Sequence, residues 1–393
     1  MGAVCTKDTK SLQDTDVKVV LIPSLVEYHS YSMKRYAQEL TQSVLNLNLS
    51  GWEYESLTCH HVELIAKLIP GTLGIQSAER LGRLVRYPFV ARKAQGDLFH
   101  ILDHSHAHLL DSLATQKTII TCHDIIPLLA SRGKIDIPVT PNARRAFPRI
   151  VERLERARAV VAISESTKAN LLEHTRVPEE RIHVVYYGVN PNFTAAPPTG
   201  ISRADERAAL LAHYKIPAEA KVLMHVGTTG RYKNNTALVK LLKALDKDVW
   251  LLRVGAPFYD DEEALVDSLG VRERLVQAGE IYDDLRLAAH YRAADLFVFP
   301  SIWEGFGWPP LEAMACGTPA VTSNVASLPE VVGDAGVTVG PHEHAALAET
   351  VSSLLQDPMR LKALRQRAVE QAARFTWERC GRQTQTLYEK IAL

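Results

Sequence analysis

The chain lacks any apolar run long enough for a membrane helix. Its longest such stretch, residues 17–26, is broken by Lys18 and Pro23, well short of the roughly 18 residues that cross a bilayer. The opening residues MGAVCTKDTKSLQDTD hold no apolar core of the kind a secretory signal needs, so no leader is expected there. Cysteine is scarce: Cys5, Cys59, Cys122, Cys316 and Cys380 are odd in number and never in CxxC spacing. That argues against a disulfide framework and a zinc site, and for a reducing compartment. A surplus of one charge is missing too. Lys and Arg number 45 and Asp and Glu 45, so nothing favours a nucleic-acid backbone as partner. With 46% hydrophobic and 23% charged residues the composition is globular, which excludes disordered and collagenous classes. A length of 393 residues then points to a soluble, cytoplasmic chain of two or three domains.

What is present is alternation. Short β-branched runs, expected as strands, lie at 17–22, 52–57, 98–102, 118–122, 159–163 and 183–187, and again at 222–226, 250–254, 296–299 and 320–322. Helical patterns fill the gaps, among them 33–47, 168–175, 236–245, 345–355 and 358–374. Near-continuous apolar strands separated by helices predict parallel sheets covered on both faces. Between the two series lies Thr194-Ala-Ala-Pro-Pro-Thr-Gly200, a poor helix or strand and a good hinge. Two doubly wound α/β halves follow, and ligands gather at the carboxyl ends of such strands.

The densest chemistry is in Phe299-Pro-Ser-Ile-Trp-Glu-Gly-Phe-Gly-Trp-Pro-Pro-Leu-Glu-Ala-Met-Ala-Cys-Gly317. Gly305 and Gly307 let a backbone approach a ligand closely. Pro309 and Pro310 suit a helix start and Gly317 a stop, framing a short helix around 311–316. Its free N–H groups would make an anion site suited to a diphosphate. Glu304 and Glu312 stand eight positions apart, and carboxylates accept hydrogen bonds from vicinal sugar hydroxyls in pairs. Glycines and a glutamate at one helix start would be unremarkable as a plain turn with a favourable dipole. Two glutamates, two glycines and two prolines together favour a ligand site.

This segment resembles the E-x7-E motif of retaining glycosyltransferases of family 4, the group 1 glycosyl transferases, and especially bacterial mannosyltransferase-like members. Ser327-Leu-Pro-Glu330-Val-Val-Gly-Asp334 downstream is also similar to the family. The resemblance implies the GT-B fold, two Rossmann-like doubly wound domains facing across a cleft. It divides the chain into an acceptor-side domain at 1–193, a hinge at 194–205, a nucleotide-sugar domain at 206–374 and a C-terminal helix at 375–393 that crosses back to the first domain.

Residue by residue, His225-Val-Gly227-Thr-Thr-Gly-Arg231-Tyr-Lys233 resembles the family's phosphate loop. Lys233 and Arg231 would be the diphosphate cations, with Gly227 allowing backbone approach. Fixed positive charge there would stabilise a departing diphosphate. Gly279-Glu-Ile281 resembles the base-binding turn, where backbone groups near Ile281 read the nucleobase. Glu304 would contact hexose hydroxyls, supported by the amides of Phe306 and Gly307, while Leu311 and Glu312 serve the donor side, Glu312 at the ribose. His123 in Thr121-Cys-His-Asp124 matches the family histidine that faces the donor sugar. Family members carry a glycine-rich loop after the first strand. Here Ser24-Leu-Val-Glu-Tyr28-His29-Ser-Tyr-Ser has none, so the loop is bulkier and would fill space that another member leaves for its acceptor.

Tyr28, His29, His104 and His106 are the acceptor-side candidates. His100, His104, His106 and His108 could also share a metal on one face, but acceptor contacts or polar packing explain them more simply. Asp260-Asp261 and Asp283-Asp284 are not DxD metal motifs and read as solvated loop charges. The resulting expectation is a metal-independent, cofactor-free retaining hexosyltransferase. Its partners are a nucleotide sugar, of the GDP-mannose or UDP-glucose type, and a glycan or lipid-linked acceptor. Arg80, Arg83 and Arg86, opposite Ala78, Leu81 and Val85, form a basic helix face that would touch the cytoplasmic membrane surface. Rival readings are a silent GT-B carbohydrate-binding subunit and another GT-B enzyme, such as a nucleotide-sugar epimerase or a phosphorylase.

Overall fold

A computed structural model describes residues 16–24, 31–57, 59, 81–228 and 230–392. Among these residues twelve strands form two six-stranded sheets, ordered β2-β1-β3-β4-β5-β6 and β12-β11-β10-β7-β8-β9. The first sheet comprises β1 (Val17–Ile22), β2 (Trp52–Ser56), β3 (Leu98–Ile101), β4 (Thr118–Cys122), β5 (Ala159–Ala162) and β6 (Ile182–Val184). The second comprises β7 (Lys221–Gly227), β8 (Val249–Gly255), β9 (Leu275–Gln277), β10 (Leu296–Phe299), β11 (Ala320–Ser323) and β12 (Val337–Val339). Pairing is parallel, as in β7 on β8 with His225 opposite Arg253 and Gly227 opposite Gly255. The apolar strand sequences follow from this: β3, β4, β5, β10 and β11 are buried along their whole length.

By internal contacts the chain forms two compact units. One holds residues 1–121, 156–159 and 381–393; the other holds 122–155 and 160–380. In the first, the Trp377–Ala392 helix contributes Tyr388, whose hydroxyl meets His100 Nδ1 at 2.7 Å. His100 Nε2 reaches Thr121 Oγ1 at 2.8 Å, and Thr121 Oγ1 reaches Tyr36 at 3.0 Å. His100 is therefore polar packing within a buried network. In the second unit, leucines and valines of β7, β8, β10 and the Asn235–Ala244, Asp260–Leu269 and His344–Leu355 helices make a continuous core.

The sixth strand ends at Val184, three residues before the expected Tyr187. Val185 still donates to Ala162, but Tyr186 and Tyr187 turn away into an aromatic cluster with Phe306, Trp308 and Phe375. From Thr194 to Ser202 there is neither helix nor strand, and the Arg203–His213 helix begins with Ser202 as its cap. The acidic pairs expected as loop charges open helices instead. Asp260 and Asp261 lie in the first turn of Asp260–Leu269, and Asp283 caps Asp284–Ala293 by accepting from the Arg286 amide. Carboxylates are stabilised there by the unpaired N–H groups and the helix dipole.

Candidate functional site

The second sheet reverses its strand order between β7 and β10, and the space beyond the carboxyl ends of such neighbouring strands is the usual ligand position in these sheets. The loops leaving these two strands carry the two sequence motifs. After β7 comes a tight turn, Arg231–Lys233, then Asn234 in the left-handed region at φ 57° and the Asn235–Ala244 helix. Asn tolerates this conformation. Its amide also donates to the carbonyls of Pro300 (3.0 Å) and Pro341 (2.9 Å), and Ile302 donates to Tyr232 O at 2.7 Å. The two loops are thus tied across the reversal point.

Lys233 Nζ donates to Glu304 Oε1 at 2.7 Å, with Lys233 8% and Glu304 9% exposed. The ammonium also lies 4.9 Å from the ring centres of Tyr232 and Phe299. Burial works against the charge on Lys233, but Glu304 and then Tyr232 outweigh it and raise the pKa. Arg231 diverges from its neighbour. It is exposed, makes a bidentate pair with Asp261 at 2.6 and 2.9 Å and stacks over Tyr259 at 4.2 Å. Gly227 has a reason beyond ligand approach: a Cβ there would stand 2.7 Å from His225 Nε2. His225 is fully buried, and its Nε2 has no hydrogen-bond partner.

After β10, the loop backbone is held from below by Ser327 Oγ, which donates to Glu304 O at 3.0 Å or Phe306 O at 2.6 Å. Gly307, at φ 114°, starts the Trp308–Ala315 helix, three residues before the expected Leu311, and Gly317, at φ 69°, follows its end as expected of a stop. Leu311 is fully buried beneath this turn. Glu312 is buried too and accepts a 3.0 Å hydrogen bond from Tyr291. Gly305 lies against the His123 carbonyl, leaving no room for a Cβ. His123 itself is buried and hydrogen-bonded through Nδ1 to Tyr187. Ser164 Oγ donates to Gly305 O at 2.9 Å, and Trp308 Nε1 to Gly188 O at 3.0 Å. His123, Glu304, Lys233 and Glu312 all fall in one compact unit.

Two family models match most of the chain. Glycosyltransferase Family 4 covers residues 53–193, and Glycosyl transferases group 1 covers 206–375. The chain belongs to the group 1 glycosyltransferases. Among similar curated proteins, O-antigen chain mannosyltransferase B of Escherichia coli is 31% identical over 346 residues, 86% of this chain and 85% of that protein. Serotype-specific mannosyltransferase WbdA of Escherichia coli is 31% identical over 269 residues, 66% of this chain. This chain's match spans about a third of the WbdA length, 32%. Sucrose-phosphate synthase from Thermosynechococcus elongatus shares the fold at a TM-score of 0.75 and 21% identity, covering 96% of this chain and 99% of that one. The two parallel sheets of this group 1 glycosyltransferase are those of the GT-B fold.

The remaining residues singled out in this glycosyltransferase are more dispersed. Ile281, half-buried, follows Gly279, whose carbonyl accepts from Gly255 N at 2.8 Å beside the ends of β7 and β8. In the first sheet the order reverses between β1 and β3, and His104 and His106 follow β3 there. His106 is fully buried, with Nδ1 3.0 Å from Ser105 Oγ, whereas His104 is partly exposed. Tyr28 and His29 lie outside the described residues. No group of three His, Cys, Asp or Glu among the described residues is placed to hold a metal. Sequence reasoning missed Tyr187, Tyr291 and Glu330. Tyr187 and Tyr291 orient His123 and Glu312; Glu330 Oε1 and Oε2 accept from Ser166 N (3.0 Å) and Glu165 N (2.9 Å), and Oε2 also accepts from Tyr186 OH. Glu330 carried a signal in its place in the downstream motif, and Tyr187 in the family-like run Tyr186-Tyr-Gly188-Val189; Tyr291 carried none.

The basic helix face is reversed. Leu81, Leu84, Val85 and Phe89 are exposed, while Arg83 and Arg86 are half-buried; Ala78 and Arg80 lie outside the described residues. The cause is Tyr87, fully buried with its hydroxyl donating to Pro23 O at 2.7 Å. It turns its own face inward and the leucines out. No helix among the described residues is long and apolar enough to cross a membrane.

Proposed function

We propose that the chain is a retaining hexosyltransferase that moves a sugar from a nucleoside-diphosphate donor to an acceptor hydroxyl in glycan or glycolipid synthesis. The observation that carries this reading is Lys233 beside Glu304 at the β7–β10 reversal, next to the start of the Trp308–Ala315 helix. The cation and the helix N-terminus suit a diphosphate, and the carboxylate suits sugar hydroxyls. In the transfer, the sugar C1–oxygen bond to the diphosphate breaks. The acceptor oxygen bonds C1 on the same face, through an oxocarbenium-like state, and its proton passes to the departing phosphate. Glu312 would hold the ribose, Arg231 would swing from Asp261 to the phosphates, and His123 would face the sugar.

Similarity to the two Escherichia coli mannosyltransferases favours mannose as the sugar, with a guanosine donor as our first choice and glucose from a uridine donor as the second. A thermal-shift panel of nucleotide sugars, followed by transfer assays with the donor that raises the midpoint, tests this. Stabilisation by no nucleotide sugar would defeat it. The same reading makes Lys233 and Arg231 do the work of a metal at the diphosphate. Transfer is therefore expected to survive chelation, and a loss reversed only by added magnesium or manganese would contradict that. The acceptor partner is taken to be a glycan or lipid-linked glycan at the cytoplasmic membrane face. Exposed Leu81, Leu84, Val85 and Phe89, followed by exposed Arg92 and Lys93, support a peripheral contact there.

A further inference from the structure

Lys233 and Glu304 join the group assigned to the leaving diphosphate with the group assigned to the sugar. Their 2.7 Å bond is almost closed to solvent. The faces of Tyr232 and Phe299 flank the ammonium. One carboxylate and two rings therefore surround Lys233, and an incoming anion reaches it most directly by taking the place of that carboxylate. Taking away one member of such a desolvated pair leaves a buried, uncompensated charge, which is strongly unfavourable. Exchange of one anion for another avoids that cost.

We propose that Glu304 is an internal stand-in for the donor's diphosphate. With no donor bound it neutralises Lys233. An arriving diphosphate takes over Lys233 and frees the Glu304 carboxylate for the sugar hydroxyls. After transfer the carboxylate returns to Lys233 and helps the spent nucleoside diphosphate to leave. No covalent bond is made or broken in this exchange. It rests on the reading above that the diphosphate binds the loop after β7. It makes Glu304 a competitor for the bare nucleotide as well as a sugar ligand, so losing its charge should strengthen nucleotide binding while it damages transfer.

Titration calorimetry with GDP, UDP and inorganic pyrophosphate on the whole chain tests the exchange. Glu304→Gln should bind whichever of them the unmutated protein binds at least tenfold more tightly, and should lose transfer activity. Glu304→Asp keeps the charge, and with it the fold, but shortens the reach to Lys233; it should show a smaller gain in the same direction. In Lys233→Met with Glu304→Gln the gain should vanish. Equal or weaker binding by the Gln and Asp variants, with clear binding by the unmutated protein, overturns the exchange and leaves the diphosphate site standing. If none of the three probes binds any of the proteins, the diphosphate reading falls and takes the exchange with it.

Discussion

His225 shows how one side chain ties the loop after β7 to the pH of the medium. Its Nδ1 lies 3.0 Å from the Val298 carbonyl, which can only accept, so Nδ1 carries the proton and Nε2 is a bare acceptor. Complete burial, offset in part by that hydrogen bond and reinforced by Arg253 and Lys233, pushes the pKa from 6.5 down to about 3. The folded value lies below the unfolded one, so as pH falls the unfolded chain binds its proton first. The stability involved is present above 6.5 and drains away between there and about 3. His225→Phe should therefore be less stable than the unmutated protein at pH 7.5, yet lose less of what remains on going to pH 4.5. Urea unfolding midpoints at both values measure this; parallel losses would remove His225 as the source. The residue types at the site were legible beforehand, because Glu304, Glu312, Lys233 and the glycines occur in an unusual pattern. The ring of His225 under Gly227 was not, since a histidine ending an apolar strand reads as one more strand residue.

At the scale of elements, strand and helix positions follow closely from hydrophobic period, and the exceptions are instructive. β9 and β12 escape it because each is three residues long, too short for any period to register. The Glu165–His174 helix illustrates a second limit. Ser164 caps it in the ordinary local way, accepting from Thr167 N at 3.0 Å. Its first two amides, of Glu165 and Ser166, are satisfied instead by Glu330, 165 and 164 positions further along the chain. Helix starts leave four such donors without local partners. A carboxylate there gains from both hydrogen bonding and the dipole. Glu330→Ala should cost about 0.5–2 kcal/mol, the range for losing a side-chain acceptor at a helix start, and Glu330→Gln less. Chemical denaturation of both variants decides it; a cost within error for Ala would mean that solvent replaces the carboxylate freely. Gly188 belongs to the same scale. It lies hard against Trp377 and Thr376, which leave no room for a side chain, so its role is packing rather than turn formation.

For the whole molecule, the exposed stripe Leu81, Leu84, Val85 and Phe89 is the surface feature that a soluble monomer least needs. If it rests on an anionic membrane, each side chain inserted should contribute on the order of 1.5–3 kcal/mol. Leu84→Glu with Phe89→Glu should then cut co-sedimentation with phosphatidylglycerol vesicles by at least about tenfold, that is about 1.4 kcal/mol or more. Removing charge alone, as in Arg83→Ala, should have the smaller effect because Arg83 is half-buried. Unchanged sedimentation of the double variant would take this helix out of the membrane account. The amino-acid sequence by itself determined the α/β class and the family, because buried parallel strands demand apolar runs and the loop chemistry demands particular residue types at short spacing. Tertiary structure decided the partners. Lys233 pairs with Glu304, 71 residues away, and Arg231 with Asp261, 30 away, while Tyr87 turns Leu84 and Phe89 outward. Local periodicity reports which face of an element is apolar; only chain closure over long separations sets which charge meets which, and whether an apolar face finds a cover.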